Sequence, residues 1–433
     1  MTSSLVTPFL YRTATKVCGP LINTYLRRRL AQGKEDGARF RERLGFPSQP
    51  RPHGILIWIH AASVGESMSV LPLIEALIAE RSDLQVLLTT GTVTSAKLMG
   101  SRLPARALHQ YVPVDRIAGV RSFLDHWRPD LAIWVESEFW PNLIMETHAR
   151  GVPMLLLNAR VSEVSFQSWQ RYPRLIAPML QCFNLCLAQT LTDIGRLTSL
   201  GAASATCRGN LKWAGNPLPA EAKDLEKLDR MFGDRPRWLA ASTHADEELT
   251  IAETHKILRR SFAGTLTIIV PRHPNRGPEI AKALKETGLK VRRRAGFEPA
   301  DAETDIYLAD TIGELGLFYR LADIVFIGGS LIPHGGQNPL EAARLDSAIL
   351  YGPHMFNFAE TVDALDTAGA AATVTDAASL AAEITRLTTE EGLLDRRALA
   401  ATKVAADGQE VLEAVKAEIL GFLPPGENLR ESA

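Results

Sequence analysis

Short apolar runs alternate with longer amphipathic stretches along most of the chain, and this alternation limits the fold more than any other feature. A first series of strand-like runs comprises Ile55–His60, Val86–Thr89, Leu131–Val135 and Met154–Leu157, with helical stretches such as Ser67–Glu80 and Asn142–Ala149 between them. A second series comprises Trp238–Ala241, Leu266–Val270, Ile324–Ile327 and Ile349–Leu350. Continuous apolar strands separated by helices are typical of parallel sheets covered on both faces. We therefore predict an α/β protein with two doubly wound domains and a ligand cleft between the carboxyl ends of their sheets.

Length and composition agree with two globular domains. The chain has 433 residues, more than one ordinary core holds, and the charged segment Asn216–Asp234 predicts the junction of the two domains. Apolar residues make up 46% of the chain, which excludes wholesale disorder, and the net charge of −1 indicates no nucleic-acid partner. The four cysteines show no paired spacing, which disfavours a zinc site and indicates a reducing compartment.

The N-terminal segment has the composition of an interfacial helix. Arg12 and Lys16 interrupt its apolar character, so we predict neither a secretory signal nor a spanning helix. Apolar anchors beside the basic cluster Arg27–Arg29 are the combination that binds an anionic membrane surface. These anchors are Leu5, Phe9, Val17, Leu21 and Leu26. The alternative is a helix packed on the body of the protein.

The strand-to-helix turn Trp58–Glu66, WIHAASVGE, brings a histidine, a serine and a glutamate together. Ala61-x-Ser63-x-Gly65 is similar to the nucleophile elbow of hydrolases, but it follows the first strand of its series and lacks the leading glycine. In a second interpretation, Gly65 permits a tight turn and Glu66 stands at the helix start. There Glu66 is either a charge on the helix dipole or a general base that the dipole keeps ionised.

Two further loops of the first domain carry charged side chains. In the loop ESEFWPN, which follows a strand, Glu136 and Glu138 flank a serine. Glu138 and Asn142 could cap the helix that follows, or the acidic pair could bind a substrate. Lys212, in GNLKW, lies just before the domain junction, where a lysine could face an anionic ligand instead of solvent.

One loop of the second domain, PRHPNR, indicates a site for an anion. It presents Arg272, His273 and Arg276 directly after an apolar strand. Guanidinium groups in such a loop suit a phosphate or a carboxylate.

The stretches IGGS and HGGQNPLEAA, after the next strand, strengthen this prediction. Their glycines would let backbone N–H groups approach an oxyanion, and a helix beginning at Pro339 would point its positive end at the same place. Glu341 could accept hydrogen bonds from a ribose diol.

Neither a dinucleotide fingerprint nor a P-loop sequence is present, which disfavours a nicotinamide dehydrogenase and a P-loop enzyme.

The motifs occur together, in order, between about residue 39 and residue 360. They are WIHAASVGE, ESEFWPN, LNARVSE.S, GNLKW, STH..EE, PRHPNR, DTIGELGLFY and FIGGSL…GGQNPLEAA. This set resembles the 3-deoxy-D-manno-octulosonic acid (Kdo) transferase family of lipid A biosynthesis. The resemblance implies two Rossmann-like domains of the GT-B type and an N-terminal membrane-associating helix. It also implies an inverting transfer from CMP-Kdo to a tetraacyl lipid A precursor.

The resemblance implies roles for individual residues. Glu66 would accept the proton, and Glu136 and Lys212 would stabilise the transition state. Contacts with the CMP-sugar would fall on three stretches of the second domain: Pro271 and Arg272; Ile312, Gly313 and Glu314; Asn338, Pro339, Leu340 and Glu341. Ile312 and Gln337 stand where the family often has methionine and histidine. We expect no cofactor and no metal, because one phosphate carries less charge than two and no carboxylate cluster is evident.

The resemblance also implies the domain plan and the location. Residues 1–38 would associate with the cytoplasmic face of the cell inner membrane, and residues 39–217 would bind the acceptor. Residues 218–405 would bind the nucleotide sugar, and residues 406–433 would form a helix that packs back on the first domain.

The main alternative is another GT-B enzyme, a transferase or epimerase that uses a UDP-sugar. A membrane-docked nucleotide sensor without catalysis is a third possibility.

Overall fold

A computed structural model of the protein describes residues 7–424, which divide into two compact units. The first unit runs to Ala214 and includes the chain from Gly408 onward, and the second comprises Gly215–Asp407. Each unit contains one seven-stranded sheet whose paired strands are all parallel. The prediction of two doubly wound α/β domains is therefore confirmed.

The strands of the first sheet are β1 (Ile55–His60), β2 (Leu84–Thr90), β3 (Ala107–Tyr111), β4 (Leu131–Val135), β5 (Met154–Ala159), β6 (Leu185–Ala188) and β7 (Ala205–Cys207). Those of the second sheet are β8 (Arg237–Thr243), β9 (Leu266–Pro271), β10 (Val291–Arg293), β11 (Ile306–Leu308), β12 (Ile324–Ile327), β13 (Ala348–Tyr351) and β14 (Ala371–Thr373). The spatial orders are β3-β2-β1-β4-β5-β6-β7 and β10-β11-β9-β8-β12-β13-β14.

The helices that precede the second sheet in the chain are α1 (Pro8–Val17), α2 (Gly19–Ala31), α3 (Val64–Glu80), α4 (Val93–Arg102), α5 (Ile117–Trp127), α6 (Pro141–His148), α7 (Glu163–Trp169), α8 (Pro173–Leu180), α9 (Leu191–Leu200) and α10 (Ala222–Phe232). The later helices are α11 (Glu247–Ser261), α12 (Gly277–Glu286), α13 (Leu315–Tyr319), α14 (Leu340–Ala343), α15 (Ala359–Thr367), α16 (Ala377–Thr389) and α17 (Leu393–Gly421).

Both sheets reverse their winding direction at a central pair of strands. In the first sheet this point lies between β1 and β4, and in the second it lies between β8 and β12. Crevices at the carboxyl ends of such strand pairs are the usual ligand sites of open α/β sheets. The loops that follow these four strands are therefore the first places to examine for function.

Alternate side chains of the strands pack on opposite faces of each sheet. On β1, Leu56 and Trp58 join one apolar cluster, whereas Ile57 and Ile59 join the other. Trp58 also contacts Trp134 of β4, with ring centroids 4.7 Å apart. The cluster on the Ile57 face includes apolar side chains from the end of α17 and from the residues just after it: Leu412, Val415, Ile419 and Leu423.

Some of the predicted element bounds were wrong. The helix predicted from Ser67 begins at Val64, because the Ser63 hydroxyl caps it by accepting from Glu66 N at 3.2 Å. The helix predicted from Asn142 begins at Pro141. The predicted junction after Asn216 contains the regular helix α10.

The N-terminal segment forms two helices, since Gly19 and Pro20 begin a second helix after Cys18. Phe9, Val17 and Leu21 are 74%, 72% and 71% exposed, but the predicted anchor Leu26 is only 2% exposed and packs inside the protein. Leu5 lies outside the described residues. No helix between residues 7 and 424 combines the length and the apolar composition that a bilayer crossing requires.

Candidate functional site

Glu66 lies in the first turn of α3, next to the reversal point of the first sheet. Its side chain is held by its own turn: Ala62 N donates to Oε2 at 2.8 Å, and the Ser63 hydroxyl donates to Oε1 at 2.7 Å. The residue is 9% exposed. These two hydrogen bonds fix the carboxylate and leave each oxygen a further lone pair for a ligand.

The pKa of Glu66 is raised above that of a free glutamate. Burial is the main cause, and the charges of Glu136 and Glu138 also raise the pKa, while the hydrogen bonds from Ser63 and Ala62 lower it. A carboxylate whose pKa lies closer to neutrality is a stronger base than a free one. The three acidic side chains therefore act on one another electrostatically.

Gly65 does not form the tight turn that we predicted. A Cβ atom added at this position would meet only Ser63 Oγ, at 4.0 Å, and its backbone is not in the left-handed region. The turn instead depends on the Ser63 cap.

The elbow hypothesis for this turn is wrong. The Ser63 hydroxyl is bound to Glu66, and the His60 ring is fully buried with Nδ1 3.1 Å from Thr89 Oγ1. Burial lowers the pKa of His60 to about 4, so the ring is a neutral part of the sheet. No histidine activates Ser63 in the part of the chain that the structure describes.

Glu136 follows β4 and has a left-handed backbone, with φ 60°. Its N–H donates to Leu157 O at 2.9 Å, and its Oε1 lies 2.7 Å from Lys212 Nζ. A residue other than glycine adopts this conformation only where its surroundings impose it, and such sites are often functional. The ion pair joins two predicted site residues that are distant in sequence.

The loop that carries Lys212 is positioned by Asn158, at the end of β5. Asn158 Oδ1 accepts from Leu211 N at 2.9 Å, and Asn210 Oδ1 accepts from Lys212 N at 3.0 Å. Asn158 also has a positive φ, 52°. The structure thus brings Glu136 and Lys212 together, and the charge of Glu136 acts on Glu66.

The cap of α6 is Asp115, a residue that sequence reasoning missed. Its carboxylate accepts from Asn142 N at 3.0 Å and from Leu143 N at 2.7 Å. The predicted cap Glu138 instead accepts from Trp140 Nε1 at 2.9 Å. Burial raises the pKa of Asp115 to about 6. No local pattern could reveal this cap, because Asp115 lies two elements away from the helix it caps.

In the second unit, three histidines meet at the loops that follow β8, β9 and β12. The rings of His244 and His334 lie 3.9 Å apart, and those of His244 and His273 lie 5.8 Å apart. Gln337 Nε2 lies 3.2 Å from His244 Nε2. Burial, together with the nearby histidines, Arg272 and Arg276, lowers the pKa of His244 to about 4. This region favours an anion over another cation.

The loop IGGS does not present its N–H groups to a ligand, contrary to our prediction. The fully buried Glu247 takes them: Gly329 N donates to Oε2 at 2.6 Å, and Ser330 N and Leu331 N each donate to Oε1 at 3.0 Å. His244 N adds a fourth hydrogen bond, at 2.9 Å. The anion that these N–H groups bind is therefore the Glu247 carboxylate of the protein itself, and not a ligand.

The two arginines of PRHPNR differ in their contacts. Arg276 is 2.9 Å from Glu248 Oε1 and is thus engaged within the unit. Arg272 is exposed, and among residues 7–424 it forms no ion pair. Pro271, the last residue of β9, is buried. Of the two guanidinium groups, that of Arg272 is the one available to a ligand.

The stretch Ile312–Glu314 follows β11. Ile312 is 88% exposed and Gly313 has a φ of 84°, while Glu314 pairs with Arg294 at 2.6 Å. Arg294 lowers the pKa of Glu314, which therefore stays ionised.

A helix begins next to Pro339, as predicted, but it is very short. α14 has four residues and begins at Leu340, whose N–H donates to Asn338 Oδ1 at 3.1 Å. Pro339 and Leu340 are buried, and Glu341 is half-buried near Arg344. Such a short helix supplies little dipole, so an anion here would depend on side chains.

Within the described residues, no three His, Cys, Asp or Glu side chains converge as ligands for a metal ion.

A family profile described as 3-deoxy-D-manno-octulosonic-acid transferase (kdotransferase) matches residues 38–214. The 3-deoxy-D-manno-octulosonic acid transferase of Rickettsia bellii is 37% identical over 76% of this chain and 78% of that protein. The corresponding transferase of Haemophilus influenzae is 34% identical over 81% of this chain and 83% of that protein.

A solved structure shows the same fold at low identity. The UDP-GlcNAc 2-epimerase of Neisseria meningitidis, bound to UDP-GlcNAc, has a TM-score of 0.52 and 12% identity over 83% of this chain and 99% of that chain. Likeness at this level extends to the fold alone, so it gives no support to the UDP-sugar alternative.

Proposed function

Because the chain belongs to the 3-deoxy-D-manno-octulosonic acid (Kdo) transferase family, it is a glycosyltransferase, and we propose that it moves Kdo from CMP-Kdo to a hydroxyl group of a tetraacyl lipid A precursor. The observation that carries the proposed mechanism is the environment of Glu66. A buried carboxylate with a raised pKa, fixed by two hydrogen bonds, lies in the first turn of the helix that follows the central strand β1.

In the proposed reaction Glu66 is the general base. The acceptor hydroxyl gives its proton to the carboxylate while its oxygen forms a bond to the anomeric carbon of Kdo. The bond from that carbon to the phosphate oxygen breaks, and CMP leaves with the electron pair. Attack on the face opposite CMP inverts the configuration.

Lys212 and Glu136 have a supporting role in this proposal. The ammonium group would stabilise negative charge that develops on the leaving phosphate or is present on the Kdo carboxylate. Its 2.7 Å ion pair with Glu136 orients it, so little reorganisation is needed when the charge develops. On the donor side, Arg272 and the histidines around His244 would bind the phosphate. Pro271, Ile312–Glu314 and Asn338–Glu341 would contact the rest of CMP-Kdo.

We propose that transfer needs no metal ion and occurs at the cytoplasmic face of the inner membrane. The exposed apolar side chains of α1 and α2, beside the exposed Arg27 and Arg28, suit an anionic lipid surface. Such a surface would bring the chain to the acyl chains of the acceptor. Excess chelator should accordingly leave the rate of transfer unchanged.

The substitution Glu66→Gln tests the mechanism. We expect the transfer rate to fall by roughly 10²–10⁴-fold, because an amide cannot accept the proton. The affinity for CMP-Kdo, measured by calorimetry, should be unchanged. Mass spectrometry of the lipid product gives the rate.

Glu75→Gln, an exposed change on the same helix, is the matched control. If Glu66→Gln transfers Kdo as fast as this control, then Glu66 is not the base.

A further inference from the structure

The helix α1 lies on the first unit with none of its residues buried, and the Tyr11 ring packs against an apolar cluster of that unit. Polar contacts also hold this helix. Burial and the negative charge of Asp115 both raise the pKa of Tyr11, so the Tyr11 hydroxyl is within electrostatic reach of that carboxylate. Thr15 Oγ1 accepts from Asn142 Nδ2 at 3.0 Å. Arg12 forms a 3.2 Å ion pair with Glu146 of α6. All of these polar contacts reach α6 or the residue that caps it.

Asp115 lies between α1 and the first turn of α6. Its carboxylate accepts two backbone N–H groups of that turn, and its carbonyl oxygen accepts from Asn142 Nδ2 at 2.7 Å. Asn142 thus binds Asp115 with one amide hydrogen and Thr15 of α1 with the other. One buried carboxylate and one amide therefore set the position at which α6 begins.

The loop that precedes α6 carries Glu136. At one end this loop is fixed by the sheet, through the hydrogen bond from Glu136 N to Leu157 O. At the other end it runs into Pro141 and the turn that Asp115 caps. The left-handed backbone of Glu136 is unfavourable for a residue other than glycine, so it persists only while both ends of the loop are fixed.

We propose that Asp115, together with Tyr11 and Thr15 of α1, is a positioning residue for the transfer reaction. It sets the start of α6, and through the intervening loop it sets the position of Glu136 relative to Lys212 and Glu66. The N-terminal helix is then part of the catalytic assembly of its unit, in addition to any role at a membrane. This inference rests on the proposed function for the role of Glu136.

The test uses the double variant Tyr11→Phe with Thr15→Val in the full chain. It removes two hydroxyl groups at almost constant side-chain volume, so the fold should survive. We expect kcat for transfer to fall about tenfold, with KM for CMP-Kdo unchanged, because small displacements of catalytic groups have effects of this size. Asp115→Asn, which sets an amide against two N–H donors, should lower kcat further.

Thr13→Val is the matched control, because the Thr13 hydroxyl donates only to Phe9 O within α1. Its kcat should equal that of the unaltered chain. If the double variant behaves like this control, the inference is overturned.

Amide hydrogen exchange gives a second readout that does not depend on activity. In the double variant, exchange should become faster in residues 136–143 and stay constant in β1. Unchanged exchange in residues 136–143 overturns the inference. Faster exchange in these residues with an unaltered kcat overturns it as well. If the unaltered chain transfers no Kdo at all, the proposed function fails, and the inference falls with it.

Discussion

At the scale of single residues, the acid–base chemistry of Glu66 depends on Ser63. The Ser63 hydroxyl stabilises the ionised carboxylate and so lowers a pKa that burial raises. In Ser63→Ala this stabilisation is lost, and the pKa of Glu66 should rise further. Since the base must be ionised, the acidic limb of the profile of kcat against pH should move to higher pH. Kinetics between about pH 5 and about pH 8 check this shift.

Ser69→Ala is the control for this experiment, because the Ser69 hydroxyl donates to the backbone carbonyl of Glu66 and not to its carboxylate. Identical acidic limbs in the two variants would show that Ser63 does not tune the base. Loss of the helix cap in Ser63→Ala should also cost about 1 kcal/mol of stability.

Sequence reasoning placed Glu66 correctly in its turn, because a strand-to-helix junction is a local pattern. It could not pair Glu136 with Lys212, or Asp115 with the start of α6, because these partners come together only when the sheet forms. It also did not predict that the pKa of Glu66 is raised. The helix dipole can be inferred from sequence, whereas burial and the nearby Glu136 charge depend on tertiary structure.

At the scale of elements, Glu247 links the start of α11 to the loop after β12. Its carboxylate accepts four backbone N–H groups. In Glu247→Gln the amide nitrogen cannot accept, so N–H groups lose their partners at about 1–3 kcal/mol each. Calorimetry of the full chain should show an unfolding temperature lower by roughly 5–10 °C.

The matched control for that prediction is Glu253→Gln on the exposed face of α11, where Glu253 forms only a 3.7 Å ion pair with Lys256. Its unfolding temperature should stay close to that of the unaltered chain. If Glu247→Gln unfolds at the same temperature as Glu253→Gln, then the loop after β12 does not need the Glu247 carboxylate.

The predicted strands were those with continuous apolar runs, such as β1, β4 and β12. The strand β3 escaped prediction because His109 and Gln110 interrupt its apolar pattern, although both are buried. The strands β7, β10 and β14 have only three residues, too few for any periodicity. All three lie at sheet edges, where pairing with a formed neighbour stabilises a short strand.

At the scale of the whole molecule, the exposed apolar side chains of α1 and α2 predict binding to lipid. Phe9→Asp combined with Leu21→Asp should reduce partition into vesicles that contain phosphatidylglycerol by about tenfold or more, because it removes two apolar anchors and adds two repelled charges. Cosedimentation measures the bound fraction.

Phe297→Asp is the control for lipid binding, because Phe297 is 94% exposed and lies in the other unit. If the two variants bind vesicles equally, then α1 and α2 are not the lipid-binding element. The interaction would then come from exposed apolar groups in general. Substitution is a sharper test than truncation of the N-terminus, since removal of this segment would also delete the buried Leu26 and the contacts of Tyr11.

The last residues of the described chain complete the core of the first unit. Leu412, Val415, Ile419 and Leu423 pack beside β1, and Lys416 forms a 3.2 Å ion pair with Glu80 of α3. During synthesis the ribosome releases the second unit entire before it releases these residues. The unit that is translated first is therefore the last to be able to finish folding, and until then the apolar side chains that these residues cover stay accessible to chaperones.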